Sequence, residues 1–315
     1  MAAIFLDEEE VRELLDMDSC LAALDEAFRD EALGGASNLP RRRLPFQGRR
    51  FQLMAGSMTS KGYLGFKAYG GGGRGQDVTI YKAGEGLVAF IRSGRLGQVR
   101  TGAASGLATM YMARPDASRL GCIGTGNQAE TQIEAISRVR RLDAVSVYSR
   151  DPDKRRAFAE KMSEQLKLDV RPVETPEDAV RGQDIVVTMT NSSQPVFDGT
   201  ALEPGTHINA AGGNVRISRE LDEIAVSRAG TIAVDDLGAA ELESGDLLWA
   251  VERGLVAWEK IYPLAPIVAG ITQGRQSEDE ITLFESQGIG LEDVAAGSLV
   301  YERARERHMG VPLPF

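Results

Sequence analysis

Between residues 119 and 234, short apolar runs alternate with longer stretches in which apolar positions recur at helical spacing. The runs at 120–123, 144–148, 170–173, 184–190, 207–211 and 231–234 are rich in β-branched residues and predict strands. The stretch from Asn127 and the charged stretch 151–166 predict helices, and Thr175-Pro-Glu-Asp178 predicts a helix start with proline in the first turn. Strand and helix in alternation imply an α/β fold, a doubly wound parallel sheet whose ligand crevice lies at the carboxyl ends of its strands. The pattern before residue 117 is different. Residues 7–15 and 18–31 predict two helices, the first with Asp7, Glu8, Glu9 and Glu10 at its start, the second with Leu21, Leu24 and Phe28 on one face. Glycine-punctuated strands at 50–54, 64–69, 78–81 and 87–92 then predict a mostly antiparallel α+β domain. An alanine-rich helix at 101–112 leads to Pro115, and a last helix is predicted at 291–308.

The strand-to-helix turn Arg119-Leu-Gly-Cys-Ile-Gly-Thr-Gly-Asn-Gln-Ala129 carries the Rossmann dinucleotide pattern. Gly124 permits the tight turn, and Gly126 lets backbone approach a pyrophosphate. Ala129 is small enough for the helix to pack on the strand, while Thr125, Asn127 and Gln128 surround the anion at the helix N-terminus. Such a turn also occurs for structural reasons alone, so the alternation that follows it carries weight. At the end of the second strand stands Ser149-Arg150-Asp151, where an acid would bind a ribose 2′-hydroxyl. Arg150 either binds a 2′-phosphate, which inclines the reading from NAD towards NADP, or stacks on adenine or pairs with Asp151 or Asp153.

The chain has 315 residues, 43% hydrophobic and 26% charged, enough for two domains with real cores. A net charge of −10 argues against nucleic acid or an anionic membrane and for a small-molecule partner. Two cysteines make no disulfide framework, Cys122 reads as a buried inert thiol, and the compartment expected is a reducing cytoplasm. No apolar run is long enough to span a membrane, and the acidic start does not read as a signal peptide. With only His207 and His308, no zinc site is expected.

Basic residues in apolar or glycine-rich settings are the candidates for chemistry outside the nucleotide domain. Lys67, between Phe66 and Ala68, is either an edge lysine with its head in water or a functional cation. Arg100 opens the small-residue helix, where its charge opposes the dipole unless an anion is near, so it reads as a carboxylate clamp. Arg41, Arg42, Arg43, Arg49 and Arg50 read mostly as a solvated face.

The chain resembles the ornithine cyclodeaminase and μ-crystallin family, which includes alanine dehydrogenases and ketimine reductases, nearly from end to end. The resemblance rests on Pro40-Arg41-x-x-Leu-Pro45, Gly65-Phe-Lys67, Arg100-Thr-Gly-Ala-Ala-Ser-Gly106 and the turn at Gly124. It extends through Glu203-Pro-Gly-Thr-His-Ile-Asn-Ala210, Gly274-Arg-Gln-Ser277 and Gly290-Leu-Glu-Asp293. It implies a Rossmann domain at 117–293 and a substrate-binding and dimerisation domain at 1–116, to which 294–315 returns, hence a homodimer. It also makes Arg41 and Arg100 carboxylate binders, with the register among Arg41, Arg42 and Arg43 open, and Lys67 the catalytic group beside the reacting carbon.

One departure discriminates among functions. Where cyclodeaminases have Gly-Gly-Asp, this chain has Ala210-Ala-Gly-Gly-Asn214, and an amide is no base for an amine. Asn214 thus turns the expectation from cyclisation of ornithine towards NAD(P)-dependent hydride transfer on the C=N bond of a small imino acid, or the reverse on an amino acid. Surplus arginines at 42, 43 and 49 leave room for a dicarboxylic imine such as iminosuccinate. The competing classes are the cyclodeaminase lyase and a crystallin-like protein that binds nucleotide and ligand without turnover.

Overall fold

Aspartates start the first two helices of the computed structural model, which describes residues 2–70 and 75–314. Strand β1 (Ile4–Leu6) leads to α1 (Glu8–Leu14), where Asp7 accepts from the Glu9 and Glu10 amides and the Glu10 side chain accepts from the Asp7 amide. This reciprocal capping satisfies amides that a helix start leaves without partners. Asp16 likewise caps α2 (Met17–Ala32). The chain then forms β2 (Ala36–Phe46), β3 (Arg49–Met58), β4 (Tyr63–Gly70), β5 (Gln76–Lys82), β6 (Gly86–Arg92) and α3 (Gly94–Met112).

The second stretch runs β7 (Arg119–Ile123), α4 (Asn127–Val139), β8 (Ala144–Tyr148), α5 (Pro152–Leu166), β9 (Val170–Pro172), β10 (Ile185–Thr188) and β11 (His207–Ala210). It continues with α6 (Glu223–Arg228), β12 (Ala229–Val234), α7 (Leu237–Glu243), α8 (Gly245–Glu252), β13 (Ile261–Pro263), α9 (Leu264–Val268) and β14 (Ile281–Glu285). Last come α10 (Gly290–Arg307) and β15 (Val311–Pro312).

Two compact units result, one of Met1–Ala103 with Ile289–Phe315 and one of Ala104–Gly288. The sequence reading put the junctions at 116/117 and 293/294. They fall earlier because α3 is one continuous buried helix, divided within its length, and because the whole of α10 belongs to the first unit. That unit holds a seven-stranded sheet in the order β15-β1-β6-β5-β4-β3-β2, antiparallel except for β1 against β6. Helix α10 packs on β3, β4 and α2, over a core that includes Leu24, Phe28, Met54 and Ile80.

The second unit holds eight parallel strands in the order β13-β12-β14-β11-β10-β7-β8-β9. Successive residues of β10 serve opposite faces: Ile185 and Val187 join Ile133, Ile136 and Phe158, while Val186 joins Ile208, Leu247 and Leu283. A sheet covered on both faces reads as continuous apolar strands. The order reverses between β7 and β10, which is where such sheets open a crevice. Thr175 and Asp178 cap each other, yet only a single tight turn, Glu177–Ala179, follows in place of the predicted helix. Gly182, at φ +69°, turns the chain towards β10 before a longer helix has room.

Asp236 caps α7, while Asp235 is buried and accepts from the Gly288 amide at 2.6 Å and Ser286 Oγ at 3.0 Å. Burial raises the Asp235 carboxyl to about 6. Between about pH 4, where the unfolded chain ionises, and pH 6, the folded protein keeps a proton that the unfolded chain has lost. This contribution to stability is full below pH 4 and is lost as pH rises through 6. Asp235→Asn should abolish it, flattening by roughly 3 kcal/mol the stability measured in denaturant melts from pH 4 to 7. An unchanged pH slope would refute the assignment.

Candidate functional site

In the second unit, β7 ends at a turn that only glycine accommodates. Gly124 has φ +120°, and a Cβ there would stand 2.2 Å from the Met189 carbonyl oxygen. Gly126 is the N-cap of α4 and brings no side chain to cap it, so no capping side chain covers the positive end of the helix dipole that an anion would meet. A Cβ on Gly126 would meet nothing within 4 Å, because the residue borders a cavity of about 810 Å³. Thr125, Asn127, Gln128, Ser149 and Arg150 line this cavity with the two glycines. Ala129 does not line it; it is buried against β7 in the core that holds Ile133. Cys122 is buried, with its thiol pushed up to about 12 by burial, and is inert.

The far end of the cavity is cationic. Asp151 caps α5 through the Asp153 and Lys154 amides, and Asp153 pairs with Arg156. Neither acid holds Arg150, which is exposed and lines the cavity with Lys154. The wall beside the glycine turn comes from Met189, Thr190, Ser192 and Gly212, after β10 and β11, none of which was assigned a site role from the sequence. A glycine cradle at an open helix start, at the carboxyl ends of parallel strands, fits a dinucleotide pyrophosphate.

The first unit gathers the other candidates. Strand β4 pairs on both sides, so Lys67 is no edge residue; it is 3% exposed. Its Nζ donates to Asp293 Oδ1 at 3.1 Å. Arg100 Nη1 lies 2.6 Å from Glu292 Oε2, and Arg100 Nε lies 3.2 Å from Asp293 Oδ1. Arg100 stands in the second turn of α3, which starts at Gly94 rather than 101, so two carboxylates rather than a helix start explain its burial. A β-bulge between Leu39 and Arg42 sets Arg41 apart from its neighbours. Arg41 is buried and Arg43 half-buried, whereas Arg42, Arg49 and Arg50 are exposed.

Glu292 and Asp293 lie in the first turn of α10, where the helix dipole favours anions. Their motif was noticed in the sequence, but no charge on that helix was linked to Lys67. A Cβ on Gly290 would stand 2.5 Å from Ala55 backbone, and one on Gly56 would stand 2.6 Å from Leu291 backbone. The two glycines let the helix start lie directly on β3. Burial lowers the Lys67 ammonium, Asp293 opposes that effect, and Arg100 and Arg41 add to it. Burial also disfavours the Arg100 charge, but Asp293 and Glu292 outweigh it and hold the guanidinium above its ordinary range. Three buried cations, Arg41, Lys67 and Arg100, thus lie near two buried carboxylates, Glu292 and Asp293. Asn214 is in the second unit, exposed in the loop after β11, two residues beyond cavity-lining Gly212.

A family model for the ornithine cyclodeaminase/mu-crystallin family matches residues 1–308. A Δ1-pyrroline-2-carboxylate reductase of Bacillus cereus is 38% identical over 239 residues, 76% of this chain and 73% of the relative. The solved structure of the Thermococcus litoralis Δ1-pyrroline-2-carboxylate reductase, with NADH and L-proline, has a TM-score of 0.93 and 30% identity. It covers 98% of this chain and all of the other. An archaeal alanine dehydrogenase dimer with bound NAD also has a TM-score of 0.93, at 32% identity with both chains fully covered.

Gly97 tests the Lys67 geometry. A Cβ there would stand 2.6 Å from Lys67 Nζ. Gly97→Ala should favour helix α3 by up to about 1 kcal/mol yet displace the ammonium from Asp293. The expected result is an unchanged or raised melting temperature with turnover at least tenfold lower; full turnover would show that the lysine's placement is immaterial.

Proposed function

The chain belongs to the ornithine cyclodeaminase/mu-crystallin family, and on that premise we propose that it is an imino acid reductase dependent on a nicotinamide dinucleotide. The observation that carries this reading is the buried cluster in which Asp293 and Glu292 hold Lys67 and Arg100 in place, two cations suited to an imine nitrogen and a substrate carboxylate. Arg41 and Arg100 hold that carboxylate, since a guanidinium meets it with two parallel hydrogen bonds. Lys67 hydrogen-bonds the imine nitrogen and transfers a proton to it from Nζ. Burial favours this transfer by making the ammonium a stronger acid. Asp293 orients Lys67, and Glu292 orients Arg100. Bound dinucleotide supplies the hydride that reduces the imine carbon. Gly124, Thr125, Gly126, Asn127 and Gln128 hold its pyrophosphate, and Ser149 and Arg150 its adenosine ribose.

The preferred substrate on this reading is a small α-imino monocarboxylate, cyclic or open, and the reverse reaction oxidises the matching amino acid. The exposure of Arg42 and Arg49 favours a single substrate carboxylate, while half-buried Arg43 keeps a dicarboxylic imine such as iminosuccinate as the second reading. Exposed Leu39, Leu44 and Phe46 on the long edge strand β2 favour cover by a second copy of the chain, hence a homodimer. Asn214 favours reduction over cyclodeamination.

Oxidation of NADH and NADPH should be followed with Δ1-pyrroline-2-carboxylate, with pyruvate plus ammonia, and with iminosuccinate. Turnover is expected with the first or second, Lys67→Ala should lower kcat at least a hundredfold with dinucleotide affinity unchanged, and ornithine with NAD should yield no proline. Robust proline formation would establish the lyase instead. Arg150 and Lys154 outnumber Asp151 at that end of the cavity, which favours NADP over NAD. Arg150→Ala should raise the KM for NADPH at least fivefold more than that for NADH, roughly the worth of one charge-assisted hydrogen bond. Equal effects would assign Arg150 to the adenine.

A further inference from the structure

Glu220 is a buried carboxylate that the proposed chemistry does not use. It lies between two chain segments of the second unit. Its Oε1 accepts from the Thr190 amide at 2.5 Å, and its Oε2 from the Gly212 amide at 2.8 Å and Thr188 Oγ1 at 3.0 Å. Thr190 and Gly212 both line the dinucleotide cavity, one after β10 and the other after β11. The Glu220 backbone carbonyl accepts from Val196, a third cavity-lining residue.

Glu220 is itself fixed from behind. Asp246, in the first turn of α8, accepts the Glu220 and Leu221 amides at 2.9 and 3.0 Å. The seam between the two segments is tight: a Cβ on Gly212 would stand 2.4 Å from Thr190 backbone and 2.5 Å from Glu220 Oε1. Thr190 and Gly212 follow the ends of paired strands, so their amides lie beyond the sheet ladder. An amide without a partner in such a place is costly, and the carboxylate satisfies both with charge-assisted bonds.

We propose that Glu220 is a positioning residue for the dinucleotide, a staple that holds the cavity wall formed after β10 and β11. This rests on the reading of the cavity as a dinucleotide site. Among the described residues, Gly126, Ser149 and Arg150, at the pyrophosphate and adenosine ribose, donate no hydrogen bond to its carboxylate. Glu220 therefore acts on the part of the ligand beyond the pyrophosphate and the adenosine ribose, the nicotinamide half.

Glu220→Gln is the test, since the amide keeps the size but sets a donor against one of the two backbone donors. Binding is measured by titration with NADH and NADPH and, separately, with ADP and its 2′-phosphate, the adenosine halves. The dissociation constant for the intact dinucleotide should rise at least tenfold, while those for ADP and its 2′-phosphate stay within twofold. Equal weakening of both would make Glu220 merely structural, and no change in either would overturn the proposal. If wild type fails to bind dinucleotide, the reading of the cavity fails first. Should Glu220→Gln not fold, Thr188→Val removes one of the three donors at nearly constant shape. It should weaken intact dinucleotide two- to threefold and spare the half-ligands; unchanged binding would overturn the proposal.

Discussion

The two carboxylates that open α10 are the condition on which the first unit's burial of charge depends. Arg41, Lys67 and Arg100 lie out of water, and each such charge costs several kcal/mol unless it is paired and hydrogen-bonded. Asp293 reaches Lys67 and Arg100 together, and Glu292 reaches Arg100. That sharing requires the helix start to touch β3, which Gly56 and Gly290 allow, and it requires space at the lysine head, which Gly97 leaves. The last helix of the chain thereby supplies both core and counterions to a unit whose sheet, except for β15, is built from residues before 93.

The second unit buries charge differently. Glu220, Asp246 and Glu285 are buried with hydrogen bonds mainly from backbone amides and from Ser244, Thr188 and Gln287. Burial raises all three carboxyls, and their mutual repulsion raises Asp246 and Glu285 further. Amides at strand ends accept such groups because they need acceptors wherever the sheet ladder stops. The same strand ends open the crevice at the point of reversal between β7 and β10. Order behind the crevice and open amides in front of it are two results of one topology.

Local pattern made much of this legible. The strand β7, the glycine turn and α4 follow from residues within a dozen positions of one another, and so does the alternation that yields the parallel sheet. Strands β1, β13, β14 and β15 were not legible: they are short, and partners distant in sequence hold them in place. The start of α3 was missed because Gly94 and Gly97 lower helix propensity where packing demands them. Lys67 and Arg100 were visible as cations in poor surroundings. Their partners were not, because 192 and 226 residues separate Arg100 from Glu292 and Lys67 from Asp293. Arg41 among three consecutive arginines was undecided until the bulge at β2 singled it out.

The charge balance of the first unit also bears on which members of an α-imino acid series the proposed site accepts. An imino acid with one carboxylate and an uncharged side chain brings a single anion to the cluster of Arg41, Lys67, Arg100, Glu292 and Asp293. A diamino acid adds an ammonium to a cluster whose carboxylates are already shared among buried cations. A dicarboxylate adds an anion for which no further buried arginine stands in the cluster among the described residues. Either extra charge would have to stay hydrated or find a partner elsewhere, since an unpaired charge in a buried site costs several kcal/mol. A difference of even 1.4 kcal/mol is a tenfold preference. On the proposed reading an uncharged side chain is therefore favoured, because it asks the cluster for no further partner.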